Sequence, residues 1–532
     1  MATDTGIARR TSSGRGTARL SAPGWPSAAW GAVAVAIVFV AVTCWWLSRD
    51  RSIPIDDAGV HLSTTISVYE ALSAGRLLKA FTEAAPYPPL TFLAGALGIF
   101  LGGVDVAPPI IALNLVFVPL LALGCYKVGR LAFGPSAGLL AVVFALGSPL
   151  VVEEFHELML DAPEAALVAL AVWAILATER FSRPGPSALA GAAVGAGMLS
   201  KETFVLFVAG VALVTAARGG RRAWRGIAAF VAAILVIALP WYVYELSTIH
   251  QLEGEALGSS GQVSTRIPGI APPRLSSANL EWYFWSFLNW QLLLPLFVFA
   301  ATGWVWTIVG FARRRPVSRF AVELVVGAFS SWAAITLTYV HDPRYGMPMI
   351  VYLAVFGACW IARLPRLPRA VAATALATAA LANVLGVGLG LGHPVATAPT
   401  SLDYEQQPDR AMLYASYGLW MGPPSRDGDL LGLLRALRRA GTRAVGWYLE
   451  AETDTEFSPP GVAVLARIAG LATVGAVDPA RAGSHEALLL HRPAQPGLPP
   501  PCIELSDGSG VWVGLGGPGG VRTWSYCPTR SA

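Results

Sequence analysis

Charge is what this sequence has least of. Asp, Glu, Lys and Arg make up 13% of its 532 residues, about half the share of a soluble domain. Hydrophobic residues make up 54% and mean hydropathy is +0.55. That much apolar surface cannot be hidden in one aqueous core, and the same composition excludes disorder and a collagen-like chain. Cysteine is scarce as well, with 5 in the whole chain, which excludes a disulfide scaffold. The apolar runs are continuous rather than alternating, which argues against an outer-membrane barrel. No Walker loop, HExxH, GxSxG or dinucleotide fingerprint is present. What remains is an α-helical protein that crosses the membrane many times.

The net charge of +5 does not indicate nucleic acid. No RNA- or DNA-binding motif accompanies it, and Arg sits between apolar spans, as the positive-inside rule expects. Arg9, Arg10, Arg15 and Arg19 precede an apolar stretch from Ser27 to Leu47. The stretch is long and ends in Cys44-Trp45-Trp46 without a small-residue cleavage site, so it reads as an uncleaved first span. Further spans are expected near 106–126, 136–152, 162–178, 187–200, 203–217, 224–244, 286–311, 320–340, 346–362 and 370–391. Basic clusters fall at Lys127/Arg130, Arg180/Arg183, Arg218–Arg225, Arg313–Arg319 and Arg363–Arg369. Two spans separate each neighbouring pair, so all can be cytoplasmic.

Parity then singles out Leu90–Gly102. A helix of about 13 residues covers about 20 Å, short of the ~30 Å hydrocarbon core. Pro88-Pro89 opens it and Gly102-Gly103 closes it, so it reads as an interfacial or re-entrant helix on the outer side. The fold expected is a polytopic α-helical membrane protein of about eleven crossings plus this helix. Its parts are a cytoplasmic tail, 1–26, a membrane domain, 27–393, and a small extracytoplasmic α/β domain, 394–532. In the last, Asp427–Ala440 reads as an amphipathic helix, and Arg443–Leu449 and Glu486–Leu490 as strands. Cys502 and Cys527 are the only cysteines there; they are a candidate disulfide in an oxidising compartment, or two free thiols.

Three outer loops, 49–105, 153–161 and 247–285, carry most of the unusual residues. In the first, Asp56-Asp57 follow closely on a membrane exit, and a helix starting there puts Asp57 and His61 on one face. Such carboxylates can take a proton from a hydroxyl or hold a cation; the ordinary reading is a helix cap. Pro86-Tyr87-Pro88-Pro89 fixes the chain where it meets the membrane, with Tyr87 at headgroup depth. In the second loop, Asp161 and Glu164 fit a capping box, which leaves Glu153, Glu154, His156 and Glu157 as an acidic lip. His156 and Glu157 are weak candidates for a divalent cation, and no cofactor is otherwise indicated. Lys201-Glu202 interrupts an apolar region on the outer side; Lys201 either contacts a phosphate or anchors a span end. Arg344 of His341-Asp342-Pro343-Arg344-Tyr345 can grip a phosphate bidentately. The spans carry almost no acid at mid-depth, against an ion-coupled transporter.

Together these stretches resemble the membrane glycosyltransferases of the C-type superfold, in particular the bacterial protein O-mannosyltransferase and aminoarabinose-transferase group. Asp56-Asp57 is similar to the group's paired acids and Tyr87-Pro88-Pro89-Leu90 to its Pro-Pro-Leu segment. Met159-Leu160-Asp161-Ala162-Pro163 is similar to its second-loop aspartate, and Gly197-Met198-Leu199-Ser200-Lys201 to its Leu-Ser/Thr-Lys segment. Arg344-Tyr345 resembles the Arg-Tyr at the head of a late span. The resemblance covers roughly 28–390 and not the C-terminal region. It implies a bacterial plasma-membrane enzyme with its N-terminus inside. The enzyme would move a sugar from a polyprenyl-phosphate donor to a hydroxyl acceptor, protein, lipid or polysaccharide, with inversion. Asp56 would be the general base, and Asp57 or Asp161 would orient the acceptor or a cation. Lys201 and Arg344 would neutralise the leaving phosphate, with His61, Tyr87 and Tyr345 lining the donor site. Relatives often carry a basic residue where this chain has Tyr87. A flippase of a lipid-linked glycan and a non-catalytic glycan-binding protein are the alternatives.

Overall fold

The computed structural model describes residues 25–246, 275–391, 429–449 and 457–527, apart from 85, 316, 339–340, 482–485, 494–499, 506–508, 518–519, 522–523 and 525–526. The basic tail before Trp25, most of loop 247–285 and the connection 392–428 lie outside the described residues. The chain is mostly helical. Helices run α1 Trp25–Leu47, α2 Asp56–Ser73, α3 Leu77–Thr82, α4 Leu90–Gly102, α5 Ala107–Phe133, α6 Pro135–Leu146, α7 Pro149–Glu154, α8 Asp161–Ala177, α9 Pro184–Met198, α10 Phe204–Gly219 and α11 Trp224–Tyr244. They continue as α12 Ser277–Ser286, α13 Leu293–Ala312, α14 Ala321–Leu337, α15 Ile350–Cys359, α16 Arg366–Leu389, α17 Leu430–Arg439 and α18 Pro459–Ile468.

Among the described residues, 6 helical runs are long and apolar enough to cross a membrane. Others at expected spans are shorter: α6, α8, α9 and α14 have 12 to 17 residues. The expected span 136–152 is broken. Helix α6 stops at Leu146, because the residue before Pro149 is held extended, and Gly147 packs against Ala380 too closely for a side chain. The freed Gly147 carbonyl accepts from Asn383 at 3.0 Å, and the Ser148 hydroxyl donates to the Gln291 carbonyl. Pro149 then opens α7. The expected span 286–311 also starts late, because Phe287–Gln291 forms a π-turn ahead of α13. Helix α4 has the expected bounds; Gly103 ends it at φ +85°, a conformation that suits glycine alone.

Among the described residues the C-terminal part forms a five-stranded sheet with α17 and α18 against it. Its strands are β1 Ala444–Leu449, β2 Ala472–Ala476, β3 Glu486–Pro493, β4 Ile503–Glu504 and β5 Ser509–Leu515, in the order β2-β1-β3-β5-β4. Strands β2 and β3 pair with β1 in parallel, and β5 pairs antiparallel with β3 and β4. Asp429 caps α17 by accepting from the Gly432 N–H at 2.9 Å. Leu430, Leu433, Leu434 and Leu437 bury one face of that helix. Each contributes roughly 1.5–3 kcal/mol of burial, which holds a helix too short to persist alone. Cys502 is bonded to Cys527, while Cys44, Cys125 and Cys359 are free thiols.

Ile53, just ahead of α2, is buried in the core of this domain with Phe457, Val462 and Leu465. The domain is therefore built around a piece of the first loop, and that contact positions the site.

Candidate active site

Four separated stretches of the chain meet at one end of the helical bundle. Helix α2 brings Asp56, Asp57 and His61. The start of α8 brings Asp161 and Glu164, and the turn between α9 and α10 brings Lys201 and Thr203. The 3₁₀ turn Pro343–Met349 brings Arg344 and Tyr345. That turn is pinned from below, where Gln291 Nε2 donates to the Pro343 carbonyl at 2.6 Å.

Arg344 is held in a fork of two carboxylates. Its Nη1 and Nη2 each donate to Asp57 Oδ2 at 3.3 Å. Its Nε and Nη2 donate to Asp342 Oδ2 at 3.1 and 2.9 Å. The guanidinium side chain keeps 24% of its exposure, so an anion can reach it. Lys201 sits deeper. Its Nζ donates to Asp161 Oδ1 at 2.7 Å and lies 4.0 Å from Glu164 Oε2, with its side chain 8% exposed. Thr203 holds the other Glu164 oxygen at 2.8 Å, and the Tyr345 ring lies 5.0 Å from Nζ. Burial works against the charged form of Lys201, but Asp161 and Glu164 hold its pKa well above the usual lysine range. Burial likewise works against the Asp161 carboxylate, and Lys201 and Arg344 more than offset it, leaving its pKa below the usual value.

These contacts correct several ordinary readings. Asp161 and Glu164 form no capping box: Leu160 holds the N-cap position with no side-chain bond, and both acids face Lys201 and Thr203. Neither Asp56 nor Asp57 caps α2, whose N-cap is Ile55. Lys201 does not snorkel to a span end; it is buried against acids from another helix. Sequence reasoning missed Asp342, although it stands in the quoted turn, and missed Ser458, which has no local signature. Ser458 accepts the Asp56 N–H at 2.9 Å and donates to Asp56 Oδ1 at 3.3 Å.

His61 is buried beneath this cluster. Its Nδ1–H donates to the Leu158 carbonyl at 3.1 Å, and Nε2 finds no partner among the described residues. The rings of Tyr87 and Phe92 stand edge-on to it at 5.2 and 5.7 Å. Burial pulls its pKa down to about 4, and Asp57 resists only in part. Tyr87 is half-buried, and burial together with Asp57 raises its phenol pKa. A histidine depressed in the folded state takes up its proton first when unfolded. Stability should therefore fall as pH drops from about 6.5 towards 4, by up to about 1.4 kcal/mol per pH unit. Melting wild type and His61→Gln across that range checks this: the wild type should lose ground to the variant as pH falls.

Glu153 and Glu154 lie close enough to Arg344 to feel its charge. Burial and the neighbouring Glu157 push Glu153 up to about 8, and burial raises Glu154 strongly. His156 is not turned towards these acids: its ring stacks on Trp46 at 4.2 Å, and burial pushes its pKa down to about 3. Among the described residues no group of three or more His, Cys, Asp or Glu side chains is placed to hold a metal ion.

Comparison with known proteins gives a family match over part of the chain and a likeness in fold. Residues 87–244 match the family model described as dolichyl-phosphate-mannose-protein mannosyltransferase. That stretch holds Tyr87, Asp161, Glu164 and Lys201, but neither Asp56 nor Arg344. No curated protein sequence matches the chain. In fold the chain is similar to ArnT from Cupriavidus metallidurans bound to undecaprenyl phosphate. The TM-score is 0.58 at 15% identity, covering 91% of this chain and 97% of that one. It is equally similar to the apo state of the same protein, with TM-score 0.58, 16% identity, and 91% and 98% covered. The chain has the ArnT fold, and the family match within it is to the mannosyltransferase model.

Proposed function

We propose that the chain transfers a sugar from a polyprenyl-phosphate donor to a hydroxyl acceptor on the outer face of a bacterial plasma membrane, inverting the anomeric centre. The observation that carries this is the convergence of Arg344, held by Asp57, with the buried pair Lys201–Asp161. A fixed, partly exposed guanidinium among carboxylates suits a reaction in which a phosphate leaves and a hydroxyl loses its proton. The ArnT structure with undecaprenyl phosphate bound supports the donor class.

The roles follow from access. Asp57 is already engaged by Arg344, whereas Asp56 meets only the Ser458 hydroxyl among the described residues. Asp56 is therefore the general base. It takes the acceptor's proton as that oxygen bonds to the anomeric carbon. The carbon–oxygen bond to phosphate breaks, and polyprenyl phosphate departs with the bonding pair. The charge that grows on the phosphate faces Arg344, with Lys201 behind it fixing Asp161 and Tyr345. The lipid tail has an apolar path outside the bundle, where Leu77 and Leu78 of α3 and Leu97, Phe100 and Leu101 of α4 stand exposed. The basic turns gather at the opposite end: Arg218 pairs with Glu323 at 3.0 Å, and Arg363 donates to the Val317 carbonyl at 3.2 Å. The positive-inside rule then supports a site that faces outward.

Binding of undecaprenyl phosphate and of phosphate-free undecaprenol to wild type, Arg344→Ala and Arg344→Lys tests the phosphate contact. A charge-assisted bond of about 1.5–3 kcal/mol corresponds to roughly 10- to 100-fold. The alanine variant should lose that much affinity for the phosphate lipid and none for the alcohol. The lysine variant should fall between, because it keeps the charge and loses the fork. Equal binding of the phosphate lipid by all three would refute the assignment.

A further inference from the structure

We propose that the C-terminal domain is a working part of the active site and that Ser458 is the positioning residue for Asp56; this rests on the glycosyltransferase reading above. Asp56 has φ +38°, a left-handed conformation that costs energy in a residue with a side chain and persists only where neighbours hold it. The neighbours that hold it belong to the C-terminal domain. Ser458 is 2% exposed and occupies the N-cap position of α18, yet it makes no capping bond there. Its hydroxyl instead accepts from the Asp56 amide and donates to Asp56 Oδ1. An N-cap serine forgoes about 1 kcal/mol of helix stabilisation when its oxygen is used elsewhere. One carboxylate oxygen is thus fixed, and Oδ2 is left for a proton from the acceptor.

The rest of the interface makes this contact rigid. Helix α18 crosses α2 so closely that a Cβ on Gly59 would lie 2.7 Å from the Gly461 nitrogen. Arg467 Nη1 donates to Ser67 Oγ at 3.0 Å and to the Ser63 carbonyl at 3.1 Å, and Nη2 reaches Glu70 Oε2 at 2.7 Å. Arg435 pairs with Asp105 at 3.2 Å. Ile53, ahead of Asp56, is rooted in the domain core. Chain entry, helix face and carboxylate are all set by the same domain.

Two readouts on full-length protein in lipid nanodiscs test the proposal in wild type, Ser458→Ala and Ser458→Thr. The first is kcat and KM for the polyprenyl-phosphate sugar that wild type uses. The second is amide hydrogen exchange over residues 55–60. Misplacing a reacting group by up to about 1 Å costs up to roughly 100-fold, and a loss of about 10- to 100-fold is expected here. Ser458→Ala should lose that much in kcat with KM for the donor unchanged, and Ser458→Thr should restore most of it. The Asp56 amide should exchange faster in the alanine variant alone. Unchanged kcat in Ser458→Ala, or unchanged exchange, overturns the proposal. If wild type transfers no sugar, the glycosyltransferase reading falls and the catalytic role of Ser458 falls with it. The exchange result then decides whether Ser458 holds Asp56.

Discussion

Lys201→Met should destabilise the protein by about 3–5 kcal/mol, as breaking a buried ion pair from one side does. Lys201 is 6% exposed and Asp161 3%, so neither charge can turn to water when its partner is removed. The methionine keeps the length of the side chain and takes away the cation, leaving Asp161 and Glu164 as two buried acids on successive turns of α8. Asp161 then has burial acting on it without the offset from Lys201, and it must take up a proton for the fold to persist. Asp161→Asn should cost a similar amount from the other side, by stranding the cation. The double variant separates this from general damage. It should cost less than the two single changes together, with a coupling of about 2–3 kcal/mol. Unfolding in detergent followed for all four proteins gives the cycle, and a coupling near zero would show that the pair is not a unit.

Asp56→Asn should leave stability close to wild type and lower sugar transfer by about 10²–10⁴-fold, the contribution of a positioned general base. Asparagine has the same shape and still presents an oxygen to the Ser458 hydroxyl, so the strained start of α2 is preserved. What it lacks is the basic, anionic oxygen that takes a proton. Asp57→Asn is the informative neighbour. It should weaken the hold on Arg344, so its main effect should be on donor affinity. Steady-state kinetics on both variants, with melting as the control, distinguishes base from clamp. Retention of more than about a tenth of wild-type kcat in Asp56→Asn would remove Asp56 from the base role.

Most of the membrane part was legible because its signals are local. The apolar runs, the arginines between them and the glycine and proline punctuation around Leu90–Gly102 each act within one or two helical turns. The places that failed are those where a distant contact decides. Helix α6 ends ahead of Gly147-Ser148-Pro149, and only the contacts of Ala380 and Asn383 show how that local mark is used. Asp161 and Glu164 have the spacing of a capping box, and their use is decided by Lys201 and Thr203, 40 and 39 residues away. At the site, Arg344 could be named from its sequence but not its partner Asp57, 287 residues earlier. Ser458 lies 402 residues from Asp56, in the region that the family resemblance does not reach. A serine before a Pro-Pro helix start reads as a cap, and only the fold shows that its hydroxyl is used on another helix.

Transfer from a polyprenyl-phosphate sugar is decided by supplying purified protein in lipid with a panel of such donors and a cell-envelope extract. Sugar reaching the acceptor and free polyprenyl phosphate would be followed together, for wild type and Asp56→Asn. Wild type should give equal amounts of the two products with an inverted linkage, and the variant neither product. Lipid-linked sugar crossing the bilayer intact, with no polyprenyl phosphate released, would contradict transfer.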